Sequence, residues 1–409
     1  MKKVLYISYD GMTDPLGQSQ VIPYLQGLSK LGYGITLLSA EKPDRFAEGK
    51  EKIGKLLKDS GIEWVPVPYT SQPKVLSTVY DVWNLISTAK KLHKKNNYSI
   101  VHCRSYIAAM AGQTLKRKYG VKFLFDMRGF WADERIDGGI WNLGNPLFKR
   151  IYNYFKKKEK EYFTEADHSI SLTEAGKREI HTWKELNNPV PIQVIPCCAD
   201  LGLFDYNAID PHKLAALNTQ FGYTEDDLVI TYLGSLGTWY MLDEMLALFA
   251  KIKTKHPNAK MHFVTADEPQ MVFAKTAQYG LNNSDIKVNK AARNDVPYYI
   301  AIGKVSMFFV KQAYSKLASS PTKMGEIMGL GVPIICNAGV GDVKEITEDT
   351  GAGICIDDFS DTELQRAADN LSALLTIPKS TIRNGALKYY SLQKGVEKYA
   401  TVYQKLLQQ

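Results

Sequence analysis

The chain has 409 residues, of which 45% are hydrophobic and 23% are charged, and its formal net charge is +8. This length predicts two domains, and the hydrophobic content is sufficient for packed cores. The positive charge fits an anionic substrate, a membrane surface or nucleic acid, and it does not distinguish among them. The five cysteines include no CxxC pair, which excludes a disulfide framework and a zinc-finger spacing and indicates a reducing compartment.

No part of the sequence has the length and composition of a targeting or membrane-spanning segment. The apolar run within residues 1–10 is too short for a signal peptide. No stretch approaches the roughly 20 apolar residues that span a bilayer. We therefore expect a cytoplasmic protein, and peripheral contact with the inner face of the plasma membrane is compatible with this expectation.

Short apolar strands alternate with helices through the first half of the chain. Strands are predicted at 3–8, 34–39, 62–67, 99–103, 121–126, 168–172 and 192–196. Helices are predicted at 21–32, 45–59, 74–95, 105–119, 146–165 and 174–186. The nearly continuous apolar character of the strands favours a parallel sheet that is covered by helices on both faces.

The same alternation begins again after a predicted linker at 196–211. Strands are predicted at 228–233, 260–265, 285–288, 305–310, 332–336 and 353–356, and a last amphipathic helix is predicted at 390–408. The sequence thus predicts an α/β protein with two Rossmann-like, doubly wound domains that face a central cleft. Ligands of such sheets bind at the carboxyl ends of the strands.

The segment at 319–337 is predicted to form a loop, a helix, a turn and a buried strand. The residues at the helix start are Ser320 as the cap, Pro321 at the first position, and Thr322 and Lys323 in the first turn. Such a start binds anions because its amides lack intrahelical partners. The charge of Lys323 opposes the helix dipole, so a bound phosphate would explain it. The alternative is an ordinary surface pair between Lys323 and Glu326.

Two loops of the first half follow predicted strands and carry candidate ligand groups. Gly17 follows the first strand and lets the backbone approach a ligand, although a turn that needs one glycine is the alternative. Asp126 and Arg128 lie at the end of the strand 121–126. Arginine gives bidentate contacts to phosphate or carboxylate. The alternative here is a salt-bridged loop that holds an aromatic lid.

A second glycine-containing loop, at 234–240, follows the first strand of the second half. Gly237 and Thr238 are candidates for contact with a phosphate or a sugar. Trp239 and Tyr240 either stack on a sugar ring or a base, or simply pack within the fold.

A basic and aromatic segment at 149–163 favours a solvated helix face whose other side is core, and contact with anionic lipid is the alternative. The seven histidines do not cluster. The absence of HExxH, GxSxG, Walker A and GxGxxG patterns predicts no protein-built metal site and no dinucleotide fingerprint.

Four segments carry a resemblance to a known family. They are Pro15–Gly17, Val194–Phe204, Val229–Gly237 and Ser320–Asp342, and the last is the most specific because Glu326 precedes a Gly-x-Pro-Ile strand. With these segments the chain resembles, over essentially its full length, the retaining GT-B glycosyltransferases of the family 4 type, the glycosyl transferases group 1.

The resemblance implies a GT-B fold with an N-terminal acceptor domain at 1–198, joined by the C-terminal helix 388–409, and a donor domain at 199–387. It implies a UDP- or GDP-sugar donor, a sugar or lipid-linked acceptor, retention at the anomeric carbon, no metal ion, no cofactor and no nucleic-acid partner. A role in cell-surface polysaccharide or glycolipid synthesis is typical of the family. Glu326 is expected to bind the ribose hydroxyls, and Gly17 and the helix start at 320–323 to hold the diphosphate.

The chain departs from the family pattern at four positions. Ala318 stands where a second glutamate is frequent, Ser235 and Tyr240 stand where an arginine and a lysine usually hold the diphosphate, and Arg128 stands at the usual histidine. Other cations must then offset the two phosphate charges. The candidates are Lys323, Arg128, Lys311 and Arg293, with Lys323 first.

The favoured interpretation is a glycosyltransferase whose catalytic candidates are Lys323, Arg128 and Asp126, with the acceptor entering near Asp126. One alternative is a GT-B-type sugar-nucleotide epimerase, which needs acid and base groups in the cleft. Another is a two-lobed sugar- or nucleotide-binding protein without catalytic activity.

Overall fold

The computed structural model of the chain describes residues 2–73, 75–186 and 191–408. By its internal contacts the chain divides into two compact units. The first unit comprises Met1–Pro196, Leu317–Ser319 and Leu392–Gln409, and the second comprises Cys197–Lys316 and Ser320–Ser391. The C-terminal helix therefore belongs to the first unit, although the residues before it belong to the second.

A seven-stranded sheet forms the centre of the first unit. Its strands are β1 (Lys3–Ser8), β2 (Gly34–Glu41), β3 (Glu63–Pro68), β4 (Ile100–Arg104), β5 (Lys122–Asp126), β6 (His168–Ser171) and β7 (Ile192–Val194). All neighbouring strands pair in parallel, in the order β3-β2-β1-β4-β5-β6-β7. Every residue of β4 is buried, which explains the continuous apolar runs in the sequence.

Helices accompany both faces of this sheet, as parallel strand connections require. They are Pro15–Gln20, Ile22–Lys30, Pro43–Asp59, Leu76–Asn96, Ser105–Tyr119, Trp131–Asp137, Pro146–Glu165, Glu174–His181 and Leu392–Gln408. The core between sheet and helices contains the fully buried rings of Tyr106, Phe123, Phe125, Tyr162 and Phe163.

The second unit repeats the architecture on six strands. They are β8 (Leu228–Leu233), β9 (Ala259–Val264), β10 (Ile286–Asn289), β11 (Val305–Met307), β12 (Ile334–Asn337) and β13 (Gly353–Ile356). These strands are also parallel, in the order β10-β9-β8-β11-β12-β13. The helices are Pro211–Phe221, Leu242–Lys255, Gln270–Thr276, Val296–Ala301, Thr322–Gly329, Val343–Thr350, Asp361–Asp369, Leu371–Leu374 and Lys379–Tyr389.

Some predicted elements are shorter than expected. The strand predicted at 305–310 ends at Met307, and further along the amide of Val310 donates to Asn337 Oδ1 at 2.8 Å instead of to a strand carbonyl. The strand predicted at 332–336 begins at Ile334, since Pro333 has no amide hydrogen to donate. The helix predicted at 174–186 ends at His181. The first residue of the helix predicted at 74–95 lies outside the described residues.

Both sheets reverse their direction of winding at one place. In the first unit this place lies between β1 and β4, and in the second it lies between β8 and β11. The loops after the two flanking strands leave in opposite directions there, so a crevice opens at the carboxyl ends of the strands. In each unit this switch point is where a ligand is expected.

Within residues 2–73, 75–186 and 191–408, the structure has no helix with both the length and the hydrophobicity of a membrane-spanning segment.

Candidate functional site

Lys323 lies at the switch point of the second unit. It belongs to the first turn of the helix Thr322–Gly329, which follows β11, and its side chain reaches the residues around the end of β8. Its ammonium nitrogen lies 4.5 Å from the centre of the Tyr232 ring and 3.8 Å from that of Tyr240. The sequence therefore located the candidate cation correctly on the helix, but the two rings that surround it were not foreseen.

Lys323 is not part of the exposed ion pair with Glu326 that was the alternative expectation. Lys323 is only 8% exposed, and within the described chain it forms no ion pair with Glu326. Its nearest polar neighbour is Tyr232 Oη, at 3.4 Å. Burial lowers the pKa of the ammonium to about 7, although the charge of Glu326 raises it. An anion that approached Lys323 would restore its positive charge.

Gly234 allows this position of the lysine. Its φ angle is +123°, and a Cβ atom at this residue would lie 2.7 Å from Lys323 Nζ. A side chain at this position would therefore push the ammonium away from the loop that follows β8. Gly237 and Thr238 lie at the exposed tip of the same loop, and Thr238 has a φ angle of +26°.

The aromatic rings of this loop, Trp239 and Tyr240, each contact a lysine ammonium. Lys316 Nζ lies 3.6 Å from the centre of the Trp239 ring, and the Tyr240 ring contacts Lys323. Backbone bonds also fix the loop, since the amide of Lys311 donates to Trp239 O at 2.8 Å. Of the two readings of Trp239 and Tyr240, these contacts support packing within the fold.

Glu326 and Arg293 form a second polar group beside the same helix. Their side chains are 2.6 Å apart, from Arg293 Nη1 to Glu326 Oε1, and the Arg293 guanidinium also lies 4.8 Å from the centre of the Phe204 ring. Glu326 is buried, whereas the arginine side chain is about half exposed. Arg293 is therefore already neutralised by Glu326, which argues against it as the main cation for a diphosphate.

The start of the helix Thr322–Gly329 differs from the prediction. Pro321 occupies the cap position instead of the first helical position, and no side chain caps the helix. Ser320 Oγ instead accepts a hydrogen bond from the amide of Cys197, at 3.2 Å. The reason is the extended conformation of Pro321, whose ψ angle of 110° starts the helix one residue later. Thr322 is partly exposed at the first position.

Gly17 lies in the helix Pro15–Gln20 of the first unit, where it packs against the loop that precedes this helix. A Cβ atom there would lie 2.3 Å from the carbonyl oxygen of Gly11. The buried Glu41 carboxylate holds the same loop, because it accepts hydrogen bonds from the amides of Met12, at 2.7 Å, and Thr13, at 3.2 Å. A glycine is therefore required by the close approach of this helix to the backbone of Gly11 and Met12, and the expected turn is helical instead.

The helix that contains Gly17 is also a poor anion site. Asp14 is its cap residue, and the Asp14 carboxylate pairs with Lys42 at 2.9 Å and with Arg45 at 2.6 Å. A carboxylate at a helix start competes with any phosphate for the positive end of the dipole. This placement argues against the expected role of Gly17 in holding the diphosphate.

Asp126 lies beneath the carboxyl edge of the first sheet. It is 1% exposed, and its Oδ2 accepts a hydrogen bond from Tyr399 Oη at 2.8 Å and lies 3.3 Å from His102 Nε2. Burial raises its pKa, but Arg128, His102 and Arg104 outweigh burial and lower it to about 2. This burial argues against direct contact of Asp126 with an acceptor and favours a role in positioning its neighbours.

Two arginines stand at the strand ends of the first unit. Arg128 has a φ angle of +61° and a side chain that is 7% exposed, with its Nη1 at 3.8 Å from Asp126 Oδ1. Such a conformation is costly for a residue with a side chain and is often kept at functional sites. Arg104 was not predicted from the sequence. It ends β4 at the switch point, and its Nε lies 3.4 Å from Asp10 Oδ2. Its position directly after a predicted buried strand was the available signal.

The described parts of the chain contain no cluster of three or more histidine, cysteine, aspartate or glutamate side chains suited to a metal ion.

Two protein-family models match the chain. The Glycosyltransferase Family 4 model matches residues 20–203, and the Glycosyl transferases group 1 model matches residues 217–386. The two matches follow one another along the chain and correspond to the first and the second unit. No curated protein matches the sequence significantly.

Solved structures with the same fold cover nearly the whole chain. A glycosyltransferase from Rickettsia africae ESF-5 is 15% identical, with a TM-score of 0.74 over 99% of this chain and 98% of that chain. A sucrose-phosphate synthase from Thermosynechococcus elongatus is 13% identical, with a TM-score of 0.73 over 100% and 99%. Anabaena Alr3699/HepE, in complex with UDP-glucose, is 14% identical, with a TM-score of 0.70 over 99% and 100%.

At these identities the structural similarity establishes the fold, and it confirms the predicted α/β architecture of two Rossmann-like domains of the GT-B type. The family models add the class of protein. The chain is a glycosyltransferase with the GT-B fold, built from a family 4 domain followed by a group 1 domain.

Proposed function

We propose that this glycosyltransferase transfers a sugar from a UDP- or GDP-sugar to an acceptor hydroxyl, with retention of the anomeric configuration and without a metal ion. The observation that carries the proposal is the buried ammonium of Lys323 at the switch point of the second unit, against Gly234. The HepE structure, which contains UDP-glucose, supports the class of donor.

Lys323 is suited to stabilise a nucleoside diphosphate leaving group. When the bond from the anomeric carbon to the diphosphate breaks, negative charge develops on the phosphate oxygens. A preorganised cation in a site of low polarity stabilises this charge more strongly than water does. Lys323 approaches the loop from Gly234 to Tyr240, where this chain lacks the expected arginine and lysine. We infer that Lys323 replaces both.

Glu326 is proposed to accept hydrogen bonds from the ribose hydroxyls. Its carboxylate has two oxygens, and Arg293 contacts only Oε1 among the described residues. Arg293 would then hold the carboxylate in place. On the acceptor side, Arg128 is the candidate that contacts the reacting groups, and Asp126 positions it. We propose an acceptor from cell-surface polysaccharide or glycolipid synthesis.

The function is tested by donor turnover. The purified chain is incubated with UDP- and GDP-sugars and candidate saccharide or lipid-linked acceptors, and release of nucleoside diphosphate is measured with and without EDTA. We expect turnover that EDTA does not reduce, and an anomeric coupling constant of the product, measured by NMR, that matches the donor. Conversion of the donor sugar without an acceptor would instead support the epimerase, and binding without turnover of any donor would support the non-catalytic alternative.

Glu326→Gln should weaken nucleotide binding while the fold is retained. The amide keeps the shape of the side chain but loses the charge that strengthens hydrogen bonds to ribose, so we expect a loss of about tenfold in affinity. The measurement is a thermal-shift titration with UDP and GDP, in which a bound ligand stabilises by mass action. Glu348→Gln, at an exposed position of the same unit, is the matched control. Equal affinity of wild type and Glu326→Gln would contradict the ribose contact.

A further inference from the structure

The helix Leu76–Asn96 presents an uncovered apolar surface. Its exposed apolar side chains are Leu76, Val79, Tyr80 and Trp83, at 67%, 62%, 50% and 63% exposure. Their spacing of three and four residues places them on one face of the helix, here called the outer face. Contiguous exposed apolar side chains of this kind mark an interaction site.

The opposite face fixes the orientation of this helix. Its buried residues recur at every fourth position, at Ser77, Asp81, Leu85, Ala89 and His93. Asp81 Oδ2 accepts hydrogen bonds from Tyr9 Oη at 2.7 Å and from the amide of Thr70 at 3.0 Å. Because these contacts anchor the inner face, the apolar side chains of the outer face are directed away from the core.

The outer face continues with positive charge. Lys90, Lys91 and Lys94 follow Trp83 at spacings that keep them on the same face, and Lys91 and Lys94 are exposed. Asp81 is the sole acidic residue of the helix sequence and faces inward. The outer face thus combines apolar and aromatic side chains with lysines and has no negative charge.

This combination fits a lipid surface better than a protein surface. Tryptophan and tyrosine are enriched at the membrane–water interface, and lysines near the surface are attracted to anionic lipids. Lysine is instead depleted in protein–protein interfaces. We infer that the outer face of the helix Leu76–Asn96 binds the surface of an anionic lipid bilayer, with Trp83 inserted among the headgroups and the lysines on the lipid phosphates.

A second segment of the first unit has the same character. Residues 138–158 contain no acidic residue, and Ile140, Leu143, Leu147 and Tyr154 are 40–55% exposed. The basic residues Lys149, Arg150 and Lys157 of this segment are also exposed. The helix Ser105–Tyr119 packs against both the helix Leu76–Asn96 and the helix Pro146–Glu165. A bilayer is extended enough to contact both surfaces.

The inference is tested by co-sedimentation of the full chain with vesicles of phosphatidylcholine alone and of phosphatidylcholine mixed with phosphatidylglycerol. We expect binding to the mixed vesicles that weakens with added salt. Val79→Gln/Trp83→Gln and Lys91→Glu/Lys94→Glu should each reduce partitioning by about tenfold or more. Trp83→Phe should keep binding, but it should lose part of the fluorescence quenching that brominated lipids cause in the wild type.

The matched controls lie on the helix Pro43–Asp59, which also belongs to the first unit. Leu56→Gln and Lys52→Glu/Lys55→Glu alter an exposed leucine and two exposed lysines, and both should bind vesicles as the wild type does. Absence of vesicle binding, or equal binding of the Val79→Gln/Trp83→Gln variant, would overturn the inference. So would a wild-type dimer that this variant converts to a monomer, because the outer face would then be covered by a second copy. Nucleotide binding is measured separately, so failure here does not affect the proposed function.

Discussion

Replacing Lys323 with methionine should reduce sugar transfer by roughly a hundredfold to a thousandfold, which is the usual effect of removing one preorganised group that stabilises a developing negative charge. Methionine fills the space between the rings of Tyr232 and Tyr240 and makes favourable contacts with aromatic rings. The fold should therefore tolerate the change, and the unfolding temperature without ligand should not fall. The measurement is kcat/KM for the best nucleotide sugar, together with its affinity by calorimetry.

Lys304→Met is the matched control for this variant. Lys304 lies at the amino end of β11, at the opposite edge of the sheet from the switch point, and its Nζ donates to the carbonyl of Glu225 at 2.7 Å. The Lys304→Met variant loses the same charge from the same unit, and its kcat/KM should equal that of the wild type. If Lys323→Met also retained full turnover, the diphosphate would not be held by this lysine.

The pH dependence of donor binding provides an independent check on Lys323. Burial lowers the pKa of its ammonium to about 7, and a bound diphosphate raises that pKa because it favours the charged form. The affinity should therefore be constant below about pH 7 and decrease by up to about tenfold per pH unit above it, until the pKa of the complex is reached. A nucleotide sugar is the suitable ligand, since its diphosphate does not titrate in this range. The Lys323→Met variant should show no such decrease.

The alternation of strands and helices was predicted well, because a strand that is buried on both faces has a continuous apolar sequence. Such a run can be recognised without knowing which strands are its neighbours in the sheet. The sequence also placed Lys323 and Glu326 on one helix, because a helix start and a family pattern are local features. It did not predict their partners. Tyr232 precedes Lys323 by 91 residues and Arg293 precedes Glu326 by 33, so only the order of strands in the folded sheet brings them together.

Asp126 shows more clearly that contacts between residues distant in the sequence could not be predicted. From the sequence, a carboxylate at a strand end next to Arg128 indicated a group in contact with substrate. The residue that bonds to it, Tyr399, is 273 positions away on the C-terminal helix. No local pattern contains this contact, and it changes the interpretation of Asp126 from a group beside the acceptor to one that anchors a helix.

Replacing Asp126 with asparagine should therefore destabilise the first unit by about 3 kcal/mol, because breaking a buried ionic cluster by removing one partner leaves charge without compensation. Arg128 and Arg104 lower the pKa of Asp126 to about 2, and these guanidinium groups would lose their shared buried counter-charge. The measurement is hydrogen exchange of the amides in β4, β5 and the C-terminal helix, which resolves the first unit from the second. Tyr399→Phe removes one hydrogen bond and should cost about 1 kcal/mol in the same elements.

The charge of the Asp126 carboxylate also makes the free energy of unfolding depend on pH in the acid range. Since the pKa of Asp126 is lower in the folded chain than in the unfolded chain, its contribution is complete above about pH 4 and is lost as the pH falls toward 2. The Asp126→Asn variant should lack this part of the acid dependence, so its free energy of unfolding should approach that of the wild type at the lowest pH. A group that acts on the acceptor would behave differently. Asp126→Asn would then keep wild-type hydrogen exchange while losing turnover, and that result would restore the catalytic role that its burial argues against.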